Sequence, residues 1–207
     1  MSSRPRLFAM FLFIALIVVG LVSGIQAQST NNALDFDGVD DMVTIPTLAN
    51  APLGDSARTI EAWVKMPISN ANISNNVLFA YGGTSEITYV TVGIGTQSIV
   101  VGVGTSVADS ATWTATLNAD TWYHLAVVYP GNGGLATVSV YLDGAALSPL
   151  WNGSSSALAT TGGTAYIGSR NVYFHNPFAG TIDELRIWSV ARTQAEIVAA
   201  KDRELVG

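Results

Sequence analysis

One stretch, Phe178 to Ile197, constrains the fold more than any other part of this chain. It reads F-A-G-T-I-D-E-L-R-I-W-S-V-A-R-T-Q-A-E-I. From Ile182 to Trp188 the residues alternate with the two-residue period of a strand. On that period Asp183, Leu185 and Ile187 share one face, while Ile182, Glu184, Arg186 and Trp188 share the other. The period then changes. Thr193 and Glu196 have the T-x-x-E spacing of a capping box, which predicts a short helix. A late strand with charges inside it, ended by a capped helix, marks where a β-fold closes.

The residues before it are organised as short β-runs. Ala33 to Asp37 and Met42 to Ile45 read as strands around the turn Asp37-Gly38. Arg58 to Met66 alternates, with Ile60, Ala62 and Val64 on one face and Glu61, Trp63 and Lys65 on the other. Further runs are expected at Val77 to Tyr81, Glu86 to Ile94, Ser98 to Val103, Ala111 to Leu117, Thr121 to Tyr129, Ala136 to Leu142 and Ala165 to Gly168. Asp143-Gly144 predicts a tight turn into Ala145 to Leu147. Many short strands with turn signals every eight to twelve residues predict a sandwich or barrel, and one helix only. No period of 20 to 50 residues repeats, which excludes solenoids and propellers.

Four separate stretches carry a family resemblance. They are A-L-D-F-D-G-V-D-D-M-V from Ala33, R-T-I-E-A-W-V-K from Arg58, T-W-Y-H-L-A-V-V-Y from Thr121 running on to V-S-V-Y-L-D-G, and the F-x-G-x-I-D-E-L-R-I-W segment above. In order and spacing the chain resembles the LamG-like jelly-roll domains of the concanavalin A-like lectin and glucanase superfamily. The resemblance implies an all-β fold, a two-sheet antiparallel jelly-roll sandwich with one short C-terminal helix. It also implies a binding module, and in some members a structural calcium ion.

The first 27 residues are a different kind of segment. Arg4 and Arg6 precede an apolar run from Leu7 to Val22, and small or polar residues follow. This is the order of a secretory signal peptide, expected to be cleaved after Ala27, with Gly24 as the alternative. An uncleaved anchor is the competing reading, although the run is slightly short for a span of about 20 residues. Residues 28–207 form the expected domain, exported to a secreted or cell-surface location. Nine basic residues less Arg4 and Arg6 leaves seven, against 15 acidic ones. That balance argues against nucleic acid, which requires a basic footprint. The chain has no cysteine, so disulfides, thiolate metal sites and cysteine nucleophiles are all excluded.

Several residues are candidates for chemistry. Asp37, Asp40 and Asp41 form an acidic cluster near the first strands, and Asp183 lies on the last. First and last strands of a jelly roll commonly adjoin, so Asp37 and Asp183 could share a calcium ion through hard oxygen ligands. The alternative is that both only shape local backbone. Glu61, His124 and Arg186 occupy alternating positions inside strands, where charges are costly unless paired. The expectation is a partly buried Glu61–Arg186 ion pair with His124 beside it.

Two loops are rich in aromatic and planar groups. Trp151, Tyr173, His175 and Asn176 are candidate sugar contacts, because a pyranose has an apolar face and a rim of hydroxyls. Loop packing is the alternative, with Phe174 and Phe178 sealing one end of the sandwich. Trp63, Trp122 and Trp188 lie within strands and are expected in the core. The glucanase members carry E-x-D-x-x-E on one strand, and that string is absent here. Asn72 and Asn152 begin glycosylation sequons. The resulting reading is a secreted, non-catalytic module that binds carbohydrate. A protein-interaction or adhesion module is the alternative, and a glycan-active hydrolase comes third.

Overall fold

The computed structural model describes residues 33–67, 76–82, 88–92, 99–103, 110–151, 158–170 and 176–204. The expected leader, the sequon residues Asn72 and Asn152, and the loop residues Tyr173, Phe174 and His175 lie outside them. Among the described residues, thirteen strands are arranged in two antiparallel sheets. They are β1 (Leu34–Asp37), β2 (Val43–Ile45), β3 (Arg58–Lys65), β4 (Val77–Tyr81), β5 (Thr88–Val92), β6 (Ile99–Gly102), β7 (Ser110–Trp113), β8 (Trp122–Tyr129), β9 (Ser139–Leu142), β10 (Ala145–Ala146), β11 (Pro149–Trp151), β12 (Ala165–Ile167) and β13 (Ala179–Trp188). A helix, α1 (Gln194–Ala200), follows the last strand. One sheet has the order β1-β13-β3-β8-β9-β10, the other β11-β7-β6-β5-β4-β12-β2. First and last strands are neighbours, as expected, with Asp37 opposite Ala179.

The inward faces of the two sheets make the core. Phe36, Ile60, Val64, Phe79, Tyr81, Trp113, Leu125, Tyr129, Phe178 and Ile182 are all buried in one cluster. Each fully buried large apolar side chain contributes about 1.5–3 kcal/mol. Phe178 meets Phe36 edge to face, with ring centroids 6.1 Å apart, and so closes one end of the sandwich. The other end is tied by Arg58, buried at the start of β3. Its guanidinium donates to Tyr81 Oη at 2.6 Å, Thr160 Oγ1 at 2.8 Å and the Gly54 carbonyl at 2.6 Å. Burial pushes the Tyr81 hydroxyl up to about 12, so it stays protonated and donates to the Pro52 carbonyl at 3.0 Å.

Three local expectations are corrected. The run Ala136 to Leu142 is not one strand, because Leu135–Thr137 forms a 3-10 turn before β9. Trp113 lies in the core, while Trp63, Trp122 and Trp188 are half-buried on the outer face of the six-stranded sheet. The third correction is at β13. Asp183 lies opposite Trp63, but Arg186 lies opposite Glu61, so one extra residue intervenes. This bulge places Glu184 at φ +51° and flips the face parity of the strand. Ile182, Leu185 and Ile187 therefore all pack on the core, which strict alternation forbids. The Asp143-Gly144 turn follows expectation. Both residues have positive φ, 52° and 83°, and Leu142 pairs with Ala145 across them.

Candidate functional site

The outer face of the six-stranded sheet is divided into two halves. The C-terminal segment covers one half, and this explains the charges inside the strands. Ile197 of α1 packs on Ala126, Val128 and Tyr141. Thr193 caps the helix, accepting from the Glu196 amide, while the Glu196 carboxylate accepts from the Thr193 amide at 2.8 Å. Trp63 Nε1 donates to the Lys201 carbonyl at 2.8 Å. Arg186 donates to the carbonyls of Ala200, at 3.0 Å, and Arg203. The polar row on β3, β8 and β13 is thus the seat of the C-terminal segment.

Glu61 and Arg186 are cross-strand neighbours, and both are buried, but they are not an ion pair. Arg186 pairs with Glu184 at 2.5 Å. Glu61 instead receives Arg192, from the turn before α1, and His124 Nε2 lies 3.4 Å from its other oxygen. The predicted pair is corrected in its cation, while the nearby His124 stands as expected. Burial pushes the Glu61 carboxyl up, but His124 and the Arg192 guanidinium outweigh it and hold the group below its ordinary value. Arg192 also lies over the Trp188 ring, 4.3 Å from its centroid. The C-terminal segment makes this exchange possible, since it ties Arg186 to its carbonyls and brings Arg192 to Glu61.

Among the described residues, the other half of the face is open. A groove of about 360 Å³ lies where β1 and β3 end and β13 begins. Its lining includes Asp35, Asp37, Lys65, Asp120, Gly180 and Thr181. Phe36, Val64, Met66 and Ile182 point into the core, so the alternating residues Asp35, Asp37, Lys65 and Thr181 face outward. Asp35, Thr181, Lys65 and Trp122 form one row across four strands. In that row Thr181 donates to Asp35 at 3.1 Å, and Lys65 Nζ lies 5.2 Å from the Trp122 ring centroid. The Asp37-Gly38 turn adjoins the groove, packed on Ala179.

The acidic turn has the donor set of a hard cation. Carboxylate oxygens of Asp37, Asp40 and Asp41 lie within 4.8 Å of one another, all on exposed residues. Two of these carboxylates also order the turn, since Asp41 accepts from the Asp37 amide at 2.9 Å and Asp37 from the Val39 amide at 2.7 Å. Asp183 is elsewhere. It lies four residues along β13 from the partner of Asp37, roughly 13 Å away. The two expected calcium ligands are therefore not brought together. Burial pushes the Asp183 carboxyl up, against the hydrogen bond it accepts from the Glu184 amide.

Of the four expected sugar contacts, Tyr173 and His175 lie outside the described residues, and Trp151 and Asn176 sit apart. Asn176 is half-buried, and its carbonyl accepts from the Val77 amide at 3.2 Å. Trp151 ends β11 opposite Thr112, and register then runs through Val100 and Thr91 to Val77. Four strand spacings, roughly 19 Å, separate the backbones of Trp151 and Val77. The groove residues Asp35, Lys65, Asp120 and Thr181 were not singled out from sequence. The alternation of L-D-F-D could have flagged Asp35 and Asp37 as outward carboxylates.

A laminin G family model, described as the concanavalin A-like lectin/glucanases superfamily, matches residues 37–198. The chain belongs to this superfamily. Solved structures agree on the fold. Domain 4 of AbnA, an extracellular arabinanase from Geobacillus stearothermophilus solved with arabinotriose, has a TM-score of 0.59 at 20% identity, covering 84% of this chain and 78% of that one. The CBM40 of a Ruminococcus gnavus sialidase, bound to α2,3 sialyllactose, has a TM-score of 0.57 at 12% identity, covering 81% and 97%. A heptameric SAP-like pentraxin from Limulus polyphemus has a TM-score of 0.51 at 18% identity, covering 78% and 82%. No curated protein matches the sequence.

Proposed function

We propose that this member of the superfamily is a secreted, non-catalytic module that binds carbohydrate at a cell surface or in extracellular matrix. The observation that carries the reading is the open groove on the outer sheet face, where carboxylates, a hydroxyl and an amine converge. Sugar hydroxyls both donate and accept, so a mixed polar wall suits them. Structures of the same fold were solved with arabinotriose and sialyllactose, which supports a glycan as the class of partner. Glu61, the one buried carboxylate among the described residues, is sealed beneath the C-terminal segment, and this favours binding over hydrolysis. Calcium would sit at Asp37 with Asp40 and Asp41, bracing the turn beside the groove.

The test is a glycan array probed with residues 28–207, in calcium and in EDTA. Saturable binding to isolated glycans, weakened by Asp35→Ala or Thr181→Val, is the expected result. No glycan binding, with capture of a surface protein instead, would replace this reading with an adhesion module. Release of reducing ends from a polysaccharide would make the protein a hydrolase.

A further inference from the structure

The groove has a charge that the ligand must answer. Asp35, Asp37 and Asp120 line it and are all exposed. No ion pair among the described residues neutralises any of the three. Asp35 accepts only a neutral hydroxyl, from Thr181. Asp120 is held by its backbone, whose amide donates to the Met66 carbonyl at 2.7 Å, in a left-handed turn at φ 54°. Its carboxylate makes no hydrogen bond among the described residues. The single cation in the lining, Lys65, lies beside the Trp122 ring.

We propose that the groove selects sugars bearing a free amine, and disfavours acidic sugars. This rests on the glycan-binding reading above and names its substrate class. An ammonium group beside Asp35 and Asp120, the lining carboxylates outside the acidic turn, gains charge-assisted hydrogen bonds. A carboxylate-bearing sugar at the same place meets like charge, which costs affinity and slows encounter. A neutral sugar lies between the two. Thr181 and Lys65 add a hydroxyl and a second donor beside the carboxylates, which suits a pyranose carrying both an amine and ring hydroxyls.

The test compares two oligomers that differ only at the nitrogen. Glucosamine hexamer and fully N-acetylated glucosamine hexamer are titrated against residues 28–207 by calorimetry, without calcium, with sialyllactose as a third ligand. The glucosamine hexamer should bind about tenfold more tightly than its acetylated twin, the scale of one or two exposed charge pairs. Sialyllactose should bind most weakly. Asp35→Asn combined with Asp120→Asn should erase the preference. Asp202→Asn, which removes a distant exposed carboxylate, should leave it intact, and melting temperatures confirm that each variant is folded. Equal affinity for the two hexamers, or a preference that Asp202→Asn lowers as much as the groove variant, would overturn the proposal while leaving glycan binding in place. Absence of binding to any glycan would instead refute the functional reading itself. Tight binding of a Lys-rich peptide with no glucosamine binding would overturn both.

Discussion

Arg192 and Glu61 are separated by 131 positions in the chain, yet the guanidinium of one donates to the buried carboxylate of the other. The contact fixes the turn before α1 against β3. Arg192 also donates to the Glu196 carbonyl at 2.7 Å, and its amide donates to Thr59 Oγ1 at 2.9 Å. Main chain and side chain of one residue therefore hold the C-terminal segment to β3 at two points and brace the segment itself at a third. Arg192→Ala should destabilise the domain by about 3–5 kcal/mol, because it leaves a buried carboxylate short of its cation. Double-mutant cycles in urea should find a coupling of about 1–3 kcal/mol between Glu61 and Arg192. The same cycle for Glu61 and Arg186 should find less than about 0.5 kcal/mol, although those two are the cross-strand neighbours.

Acid should act through the same carboxylate. Burial raises the Glu61 pKa, but His124 and Arg192 lower it further, so the folded value lies below the ordinary 4.5. A carboxyl with a depressed folded pKa contributes stability above its unfolded value, and that contribution is lost as pH falls through the folded value. The melting temperature should hold down to about pH 4.5 and then fall. Thermal melts from pH 7 to pH 3 should show a shallower acid-side fall in Glu61→Gln, from a lower starting point. An unchanged acid limb in that variant would show that other carboxylates dominate.

Gly180 tests the floor of the groove. It sits at φ +138°, and an added Cβ would lie 2.3 Å from the Lys65 carbonyl oxygen. Gly54 has φ +56° and nothing within 4 Å of the same position. Gly54→Ala should therefore cost only the backbone term, about 1 kcal/mol. Gly180→Ala should cost at least about 3 kcal/mol, since strand pairing must also yield. Urea unfolding of the two variants separates clash from strain.

Calcium should distinguish two aspartates. If the acidic turn binds the ion with the Kd of a weak extracellular site, about 1 mM, then about 10 mM calcium should add about 1.4 kcal/mol of stability. Asp37→Asn should abolish that increment. Asp183→Asn should leave it unchanged, and should keep or raise the melting temperature, because the Asp183 carboxyl is one whose ionised form burial disfavours. Equal loss in both variants would place the ion near Asp183.

The strands were legible where alternation alone decides them. The period of β3 separated Ile60, Ala62 and Val64 from Glu61, Trp63 and Lys65, and the structure keeps that division. The Asp143-Gly144 turn and the Thr193 cap were legible because each is a local chemical signal. Parity failed at Glu184, since an inserted residue has no composition of its own and shows only against the partner strand. The wrong cation for Glu61 has a separate cause: Arg186 does lie opposite Glu61, but the C-terminal segment occupies it with carbonyls and brings Arg192 to Glu61 instead. The three tryptophans in strands were assigned to the core because hydrophobicity does not say which side of a sheet is covered. The groove was illegible for another reason. Asp35, Lys65, Asp120 and Thr181 come from four separate stretches, and only register places them together.

Among the described residues, strand β1 is one of the two edge strands of the six-stranded sheet, and it carries Asp35 and Asp37 on four residues. An unpaired strand margin is a template on which a second molecule can add its own strand, and charges are a common guard against it. The carboxylates that line the groove thus have a second consequence, in the crowd of identical molecules. They repel another copy approaching along β1, whose short length offers few pairing positions. Asp35 thus serves both ligand preference and resistance to fibril-like stacking. A descendant that gave up those charges to hold a neutral ligand would need another guard, such as a proline or a lysine, along that margin.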